Sequence, residues 1–308
     1  MTSAISQVYF HNEAAAYKFV EAKVWPNGPV CPHCGGFERI SPMKGKSTRI
    51  GAYKCYQCRK PFTVKIDTIF ESSHIPLRFW LQAIFMMSSS KKGISANQIH
   101  RTLGITLKST WFMCHRIREA MAPVASGNEP LGGLGKIVEA DETFVGSKPG
   151  FKRRKGVTHK MKVLSLVERG GSVRSVRIPN LSRSGIEQII RENVHLDSRL
   201  MTDTAAYYRR LLEGFAGHET VNHLQEEYVR GEVYTNTLEG YFSLFKRDMR
   251  GIYQHCKEKH LHRYLAEFDF RYNGRVSLGV NDEARANRAL AGIVGKRLTY
   301  RTVGKAMD

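Results

Sequence analysis

Lys136-Ile-Val-Glu-Ala-Asp-Glu-Thr-Phe-Val145 reads as a β-strand with a carboxylate, Asp141, in its middle. Side chains alternate along a strand, so Glu139 shares the face of Asp141 and Glu142 points to the other face. Downstream, Met161 to Glu168 and Ser172 to Ile178 read as two further strands, and residues 184–194 as an amphipathic helix. Arg199 to Asp203 is a short strand leading into an expected helix, Ala205 to Glu213. Glu219 to His223 is a further expected strand, and a long helix covers residues 236–250. Three hairpin-linked strands, then helix, strand, helix, strand and a closing helix give an α/β (α+β) class with the order of an RNase H-like core.

Within that order three acids stand at strategic points: Asp141 in the first strand, Asp203 at the carboxyl end of the fourth, and Glu239 in the last helix. Carboxylates at strand ends and on an abutting helix suit a hard divalent cation, which prefers oxygen ligands. Two such ions would clamp the attacking and the leaving oxygen of a phosphodiester. The last helix has a buried stripe, Leu238, Phe242, Phe245, Met249 and Ile252. One residue round lies a polar edge, Asn236, Glu239, Ser243, Lys246 and Arg250, which lines up a carboxylate with two cations suited to phosphates.

Upstream, residues 125–135 form a breaker-rich linker and mark a domain boundary. Before it, Leu77, Trp80, Leu81, Ile84 and Phe85 recur at helical spacing. Ser95 caps a short helix through Leu103, Gly104-Ile105 turns the chain, and a second helix runs from Leu107 to about Met121. Its expected apolar stripe is Leu107, Trp111, Cys114, Ile117 and Met121, with Lys108, Ser109, His115, Arg116 and Arg118 on the exposed side. A helix, a glycine turn and a basic-faced helix form the helix-turn-helix pattern, with Lys108, Arg116 and Arg118 as DNA contacts.

Nearer the start stand four of the six cysteines, as Cys31-Pro-His-Cys-Gly-Gly and Tyr53-Lys-Cys-Tyr-Gln-Cys. Two Cys-x-x-Cys knuckles, Cys31 with Cys34 and Cys55 with Cys58, can close a tetrahedron around one structural zinc ion. Cys114 and Cys256 read as ordinary thiols. Met43-Lys-Gly-Lys-Ser47 imitates the end of a phosphate-binding loop, but Ile40 stands where that loop needs glycine.

The chain of 308 residues has 48 Lys and Arg against 28 Asp and Glu, a net charge of +20. Such a surplus points to a polyanion partner, above all nucleic acid. Residues 147–162 hold seven Lys or Arg and no acid. Lys152, Arg153, Arg154 and Lys155 there join Lys246 and Arg250 as expected DNA contacts, with strongly salt-dependent binding. No leader or membrane-spanning stretch is visible, so a soluble, cytoplasmic, nucleoid-associated protein is expected. The expected domains are 1–72 (zinc ribbon with an N-terminal helix), 73–130 (helix-turn-helix), 131–277 (catalytic core) and 278–308 (unassigned).

Together these motifs resemble the bacterial insertion-sequence transposases of the DDE type, in the ISXO-like branch with an N-terminal zinc ribbon. The resemblance is carried by the two cysteine knuckles, by Val138-Glu-Ala-Asp-Glu-Thr-Phe-Val-Gly146 and by Thr202-Asp203. It extends through Asn236-Thr-Leu-Glu-Gly-Tyr-Phe-Ser-Leu-Phe-Lys-Arg247 and Lys259-His-Leu-His-Arg-Tyr-Leu-Ala-Glu-Phe-Asp-Phe-Arg-Tyr-Asn273. It implies an RNase H-like core with Asp141, Asp203 and Glu239 as the acid trio, magnesium dependence with two ions, and strand cleavage and joining at terminal inverted repeats. The expected partners are element-end and target DNA, bound by a homodimer or larger assembly. Two alternatives share these residues: a DNA-binding regulator with an inactive core, and a structure-selective nuclease or junction resolvase that cleaves without joining.

Overall fold

A computed structural model describes residues 3–123, 129–148, 156–208 and 213–299. The chain divides into two units, residues 1–123 with 280–308, and residues 124–279.

In the first unit, α1 (Glu13–Val24) starts at Asn12, whose side chain accepts from Ala15 N. A three-stranded antiparallel sheet, β1 (Ile40–Pro42), β2 (Tyr53–Cys55) and β3 (Pro61–Phe62), carries the cysteines. Then come α2 (Leu77–Ser89), α3 (Ala96–Leu103) and α4 (Leu107–Met121). The Ser95 side chain caps α3, Gly104 closes it at φ +67°, and Thr106 caps α4, so the turn between the two helices is built as the sequence implies.

The residues from Leu278, left unassigned by sequence, include a helix, α8 (Asp282–Ala291), which packs on α2 and α4. Arg285 Nε donates to Ser88 O at the end of α2 (2.5 Å). Lys296 Nζ donates to Glu119 O (2.9 Å) and Ala122 O (2.6 Å), satisfying carbonyls at the end of α4.

This return corrects the expected DNA-facing surface of α4. His115, Arg116 and Arg118 are buried, whereas Leu107 and Trp111, placed on the apolar stripe, are exposed. Arg116 Nε donates to Leu298 O (3.0 Å), so this cation is used inside the protein. Lys108 remains exposed, at the N-terminal end of the helix.

The second unit is built on a five-stranded sheet in the order β6-β5-β4-β7-β8: β4 (Ile137–Val145), β5 (Met161–Glu168), β6 (Val173–Ile178), β7 (Arg199–Asp203) and β8 (Gly217–Val221). β4, β5 and β6 pair antiparallel, whereas β7 runs parallel to β4 and β8 parallel to β7. On one face α5 (Arg183–Asn193) covers Val138, Ala140, Leu164, Leu166 and Leu200. On the other, α6 (Asn236–Asp248) and α7 (Leu261–Asn273) cover Val145, Val163 and Val167 with Leu238, Phe242, Phe245 and Phe268. This is the expected mixed α/β class, with the strands at the expected places along the chain. One local expectation differs: residues 205–208 form a turn rather than the start of a helix, and residues 209–212 lie outside the described residues.

Because α8 completes the core of the first unit, Leu290→Ala should cost that unit about 3 kcal/mol, seen as a lowered first transition in thermal unfolding.

Candidate active site

Strand periodicity decides which acids meet. In β4, Val138 and Ala140 enter the core beneath α5, while Glu139 and Val145 face α6, so Asp141 faces α6 as well. The register of β4 on β7 pairs Ile137 with Arg199 and Glu139 with Met201. Continued two residues, it sets Asp203 level with Asp141, on strands about 4.8 Å apart. Glu239 lies in the first turn of α6, above that same face.

Asp141 senses the other two carboxylates. Asp141, half-buried, is pushed up to about 7. Burial is the main cause, the charge of Asp203 and then of Glu239 adds to it, and the Glu142 amide and the Lys246 ammonium oppose it. Glu142 lies on the opposite face, where the Tyr208 hydroxyl donates to it, and is raised to about 8, again chiefly by burial. Glu239 is open to solvent, its side chain 47% exposed, with His223 Nε2 3.5 Å from its Oε1. His223 also meets Thr235 Oγ1 (3.3 Å) at the start of α6. Sequence reasoning placed His223 only at a strand end; the loop between it and Glu239 has no periodicity that would tie the two together.

The position of Glu239 depends on a fourth acid. Glu139 is fully buried. Its Oε2 accepts from Leu238 N (3.1 Å) and its Oε1 from Thr237 Oγ1 (2.8 Å) and Arg169 Nε (2.7 Å). Thr235, at the N-cap of α6, gives no side-chain cap, so a carboxylate from β4 takes that role. Arg169 donates onward to Glu232 O and Tyr234 O (2.7 Å each) and stacks on the Tyr234 ring at 3.5 Å. The segment leading into α6 is thereby fastened to the sheet.

Lys246 and Arg250 follow Glu239 along α6 and the turn beyond it, Lys246 half-buried and Arg250 exposed. The expected contacts Lys152, Arg153, Arg154 and Lys155 lie outside the described residues.

In the first unit the four knuckle sulfurs lie within 4.8 Å of one another, with Cys31–Cys58 at 3.6 Å and Cys34–Cys55 at 3.7 Å. Zn–S bonds of about 2.3 Å in a tetrahedron require spacings of that size, so the donor set fits zinc. Gly35 makes the first knuckle turn at φ +72°, with its N–H donating to Cys31 O (2.8 Å). The amide of Cys58, followed by that of Gln57, favours the Cys55 thiolate and lowers it to about 7.

Residues 11–61 match the model of a transposase zinc-ribbon domain, and residues 130–273 that of an ISXO2-like transposase domain. Both matched segments are thus similar to domains of ISXO2-like transposases. A protein in transposable element ISH50 of Halobacterium salinarum is 28% identical to this chain over 286 residues, spanning 85% of this chain and 91% of that protein. Among the described residues no helix is long and apolar enough to cross a membrane.

The electrostatics of the site set two expectations. A carboxyl near 7 in the folded state and near 4 in the unfolded chain is bound to a proton longer when folded, so its ionisation destabilises the fold as pH rises through 7. Without divalent cations, Asp141→Asn should therefore melt higher than the parent at pH 8 and level with it near pH 4. Glu139→Ala, which leaves Arg169 without its partner, should cost about 3–5 kcal/mol in urea unfolding.

Proposed function

We propose that this chain is a DNA transposase of the DDE type that frees 3′-hydroxyls at the terminal inverted repeats of its element and joins them to target DNA. The observation that carries this reading is the shared face of Asp141, Asp203 and Glu239, with Lys246 beside them. The donor set is all oxygen and strongly self-repelling, which fits divalent magnesium. When bound, magnesium (two ions in this reading) supplies Lewis-acid activation of the nucleophile and neutralises charge on the phosphate.

The protein's own residues do the rest. Asp141 and Asp203 hold the cation pole of the site from adjacent strands, and Glu239 closes it from α6. Glu139 and Arg169 keep α6 at the height that puts Glu239 there. Lys246 and Arg250 hold phosphate oxygens along the strand. In the first step a water oxygen bonds to phosphorus and the P–O3′ bond breaks, leaving a 3′-hydroxyl. In the second, that hydroxyl attacks a target phosphodiester, one P–O bond forming as another breaks. The first step, a hydrolysis, spends one phosphodiester and one water, the second conserves the phosphodiester count, and no protein nucleophile is needed.

The zinc ribbon and the helix-turn-helix, through Lys108 at the exposed start of α4, serve to hold the element ends. Synapsis of two ends calls for a homodimer or larger assembly, working in the cytoplasm on nucleoid DNA.

Asp141→Ala, Asp203→Ala or Glu239→Ala should each lower magnesium-dependent cleavage of end-containing DNA by more than a thousandfold while retaining DNA binding. Gel analysis of cleaved and joined products decides the reading. Cleavage without joined products identifies a nuclease. Binding with no cleavage by the parent protein identifies a regulator.

A further inference from the structure

Two of the three acids are oriented by the chain that carries them. Asp141 Oδ1 accepts from the Glu142 amide (2.7 Å), and Asp203 Oδ1 accepts from the Ala205 amide (3.0 Å). Glu239 receives no amide among the described residues, and it is the one exposed member of the trio. What stands beside its Oε1 is an imidazole from another segment. His223 Nε2 lies 3.5 Å from that oxygen and 3.3 Å from Thr235 Oγ1, both long for a single bond, so one ring N–H is shared between two acceptors.

The fold holds the imidazole in that place. β8 runs parallel to β7 with Val221 level with Asp203, and Val221 packs with Met201 and Ile137 on the face that Glu139 and Asp141 share. His223 follows two residues on and opens a short turn, His223–Gln225. Glu227 closes that turn: its Oε2 accepts from Asn222 N and its N–H donates to Asn222 O (3.1 Å each). The Tyr228 ring packs beside the imidazole, 5.5 Å between centroids.

The second ring nitrogen decides what His223 can do. Nδ1 is buried and has no hydrogen-bond partner among the described residues. A histidine that ligates a metal through one nitrogen donates its other N–H to an acceptor. Here an N–H at Nδ1 would be buried with none, which is costly. The ring therefore carries its proton on Nε2, toward Thr235 and Glu239. That makes His223 a donor to the carboxylate and not a metal ligand.

We propose that His223 is a positioning residue of the cation site, its Nε2–H restraining Glu239 Oε1 and leaving Oε2 to the divalent ion. The inference rests on the reading of Asp141, Asp203 and Glu239 as a cation site and adds the group that orders its most exposed member. A long glutamate side chain loses rotamer freedom when an ion fixes it, and a donor that fixes it beforehand removes part of that cost. The trio then follows one rule, one oxygen of each acid taken by the protein and the other kept for the ion.

The test reads metal binding rather than cleavage. Manganese(II) is titrated into the full-length, zinc-loaded protein without DNA, and the free ion is counted by electron paramagnetic resonance. Loss of a partner that hydrogen-bonds a metal ligand weakens metal affinity about 10–100-fold. His223→Asn, whose amide nitrogen stands at the height of Nδ1, should therefore weaken manganese binding by about tenfold or more. His223→Gln, whose amide nitrogen reaches the position of Nε2, should stay within about threefold of the parent. In a Glu239→Gln background His223→Asn should have almost no further effect, because His223 acts through Glu239, whereas a role confined to folding would weaken both backgrounds alike. An unchanged affinity in His223→Asn, a loss in His223→Gln equal to that in His223→Asn, or equal losses in the two backgrounds would overturn the proposal. The two readings fail distinguishably. If Glu239→Gln itself leaves manganese affinity unchanged, the cation site falls and His223 with it. If Glu239→Gln weakens binding and His223→Asn does not, only the positioning role is lost.

Discussion

The candidate site depends on a carboxylate that is not part of it. Glu139, buried in the middle of β4, caps α6 across the face of the sheet and forms an ion pair with Arg169. A buried charge is tolerated only when its hydrogen bonds are complete, and here the helix amide, a threonine hydroxyl and a guanidinium complete them. The consequence is positional. The start of α6 cannot slide along the sheet without leaving Glu139 and Arg169 unsatisfied, and Glu239 is one residue past the amide that Glu139 holds. Two acids two residues apart on one strand thus divide the work, Glu139 fixing the helix and Asp141 facing the substrate side.

The same geometry makes the second unit electrostatically tense. Asp141 and Asp203 stand level on neighbouring strands, and the Lys246 ammonium offsets part of the repulsion at Asp141. The cysteine cluster of the first unit follows the same logic in softer chemistry, four sulfurs gathered within 4.8 Å of one another. In both places the fold collects donors of one kind and leaves their neutralisation to a positive ion.

Much of this was legible before any coordinates. The period-two pattern around Asp141, the knuckle spacing and the caps at Ser95 and Gly104 are local signals, and local structure obeys them. Glu139 was legible as a residue on the same face as Asp141, but not as a helix cap, because its partners are about a hundred positions away. Arg116 and Arg118 were misread for a related reason. Helical periodicity locates faces relative to one another, yet which face is covered is decided by what packs there, and α8 is far off in sequence with no motif to announce it. Residues 205–208 lack a helix although their composition permits one, since the chain there turns around Asp203, whose Oδ1 accepts from Ala205 N (3.0 Å). The partnership of His223 with Glu239 likewise arises only when a loop and a helix end are brought side by side.

The return of α8 to α2 and α4 has a consequence for biosynthesis. The second unit is continuous in sequence, so it can acquire its sheet and helices while the chain is still being made. The first unit is begun earlier but must wait, with Arg116 lacking its Leu298 carbonyl and the apolar side of α2 uncovered, until the residues beyond Val280 emerge from the ribosome. Order of translation and order of completion are therefore reversed. A chain halted between Gly279 and α8 would carry a complete sheet unit attached to an unfinished helical one.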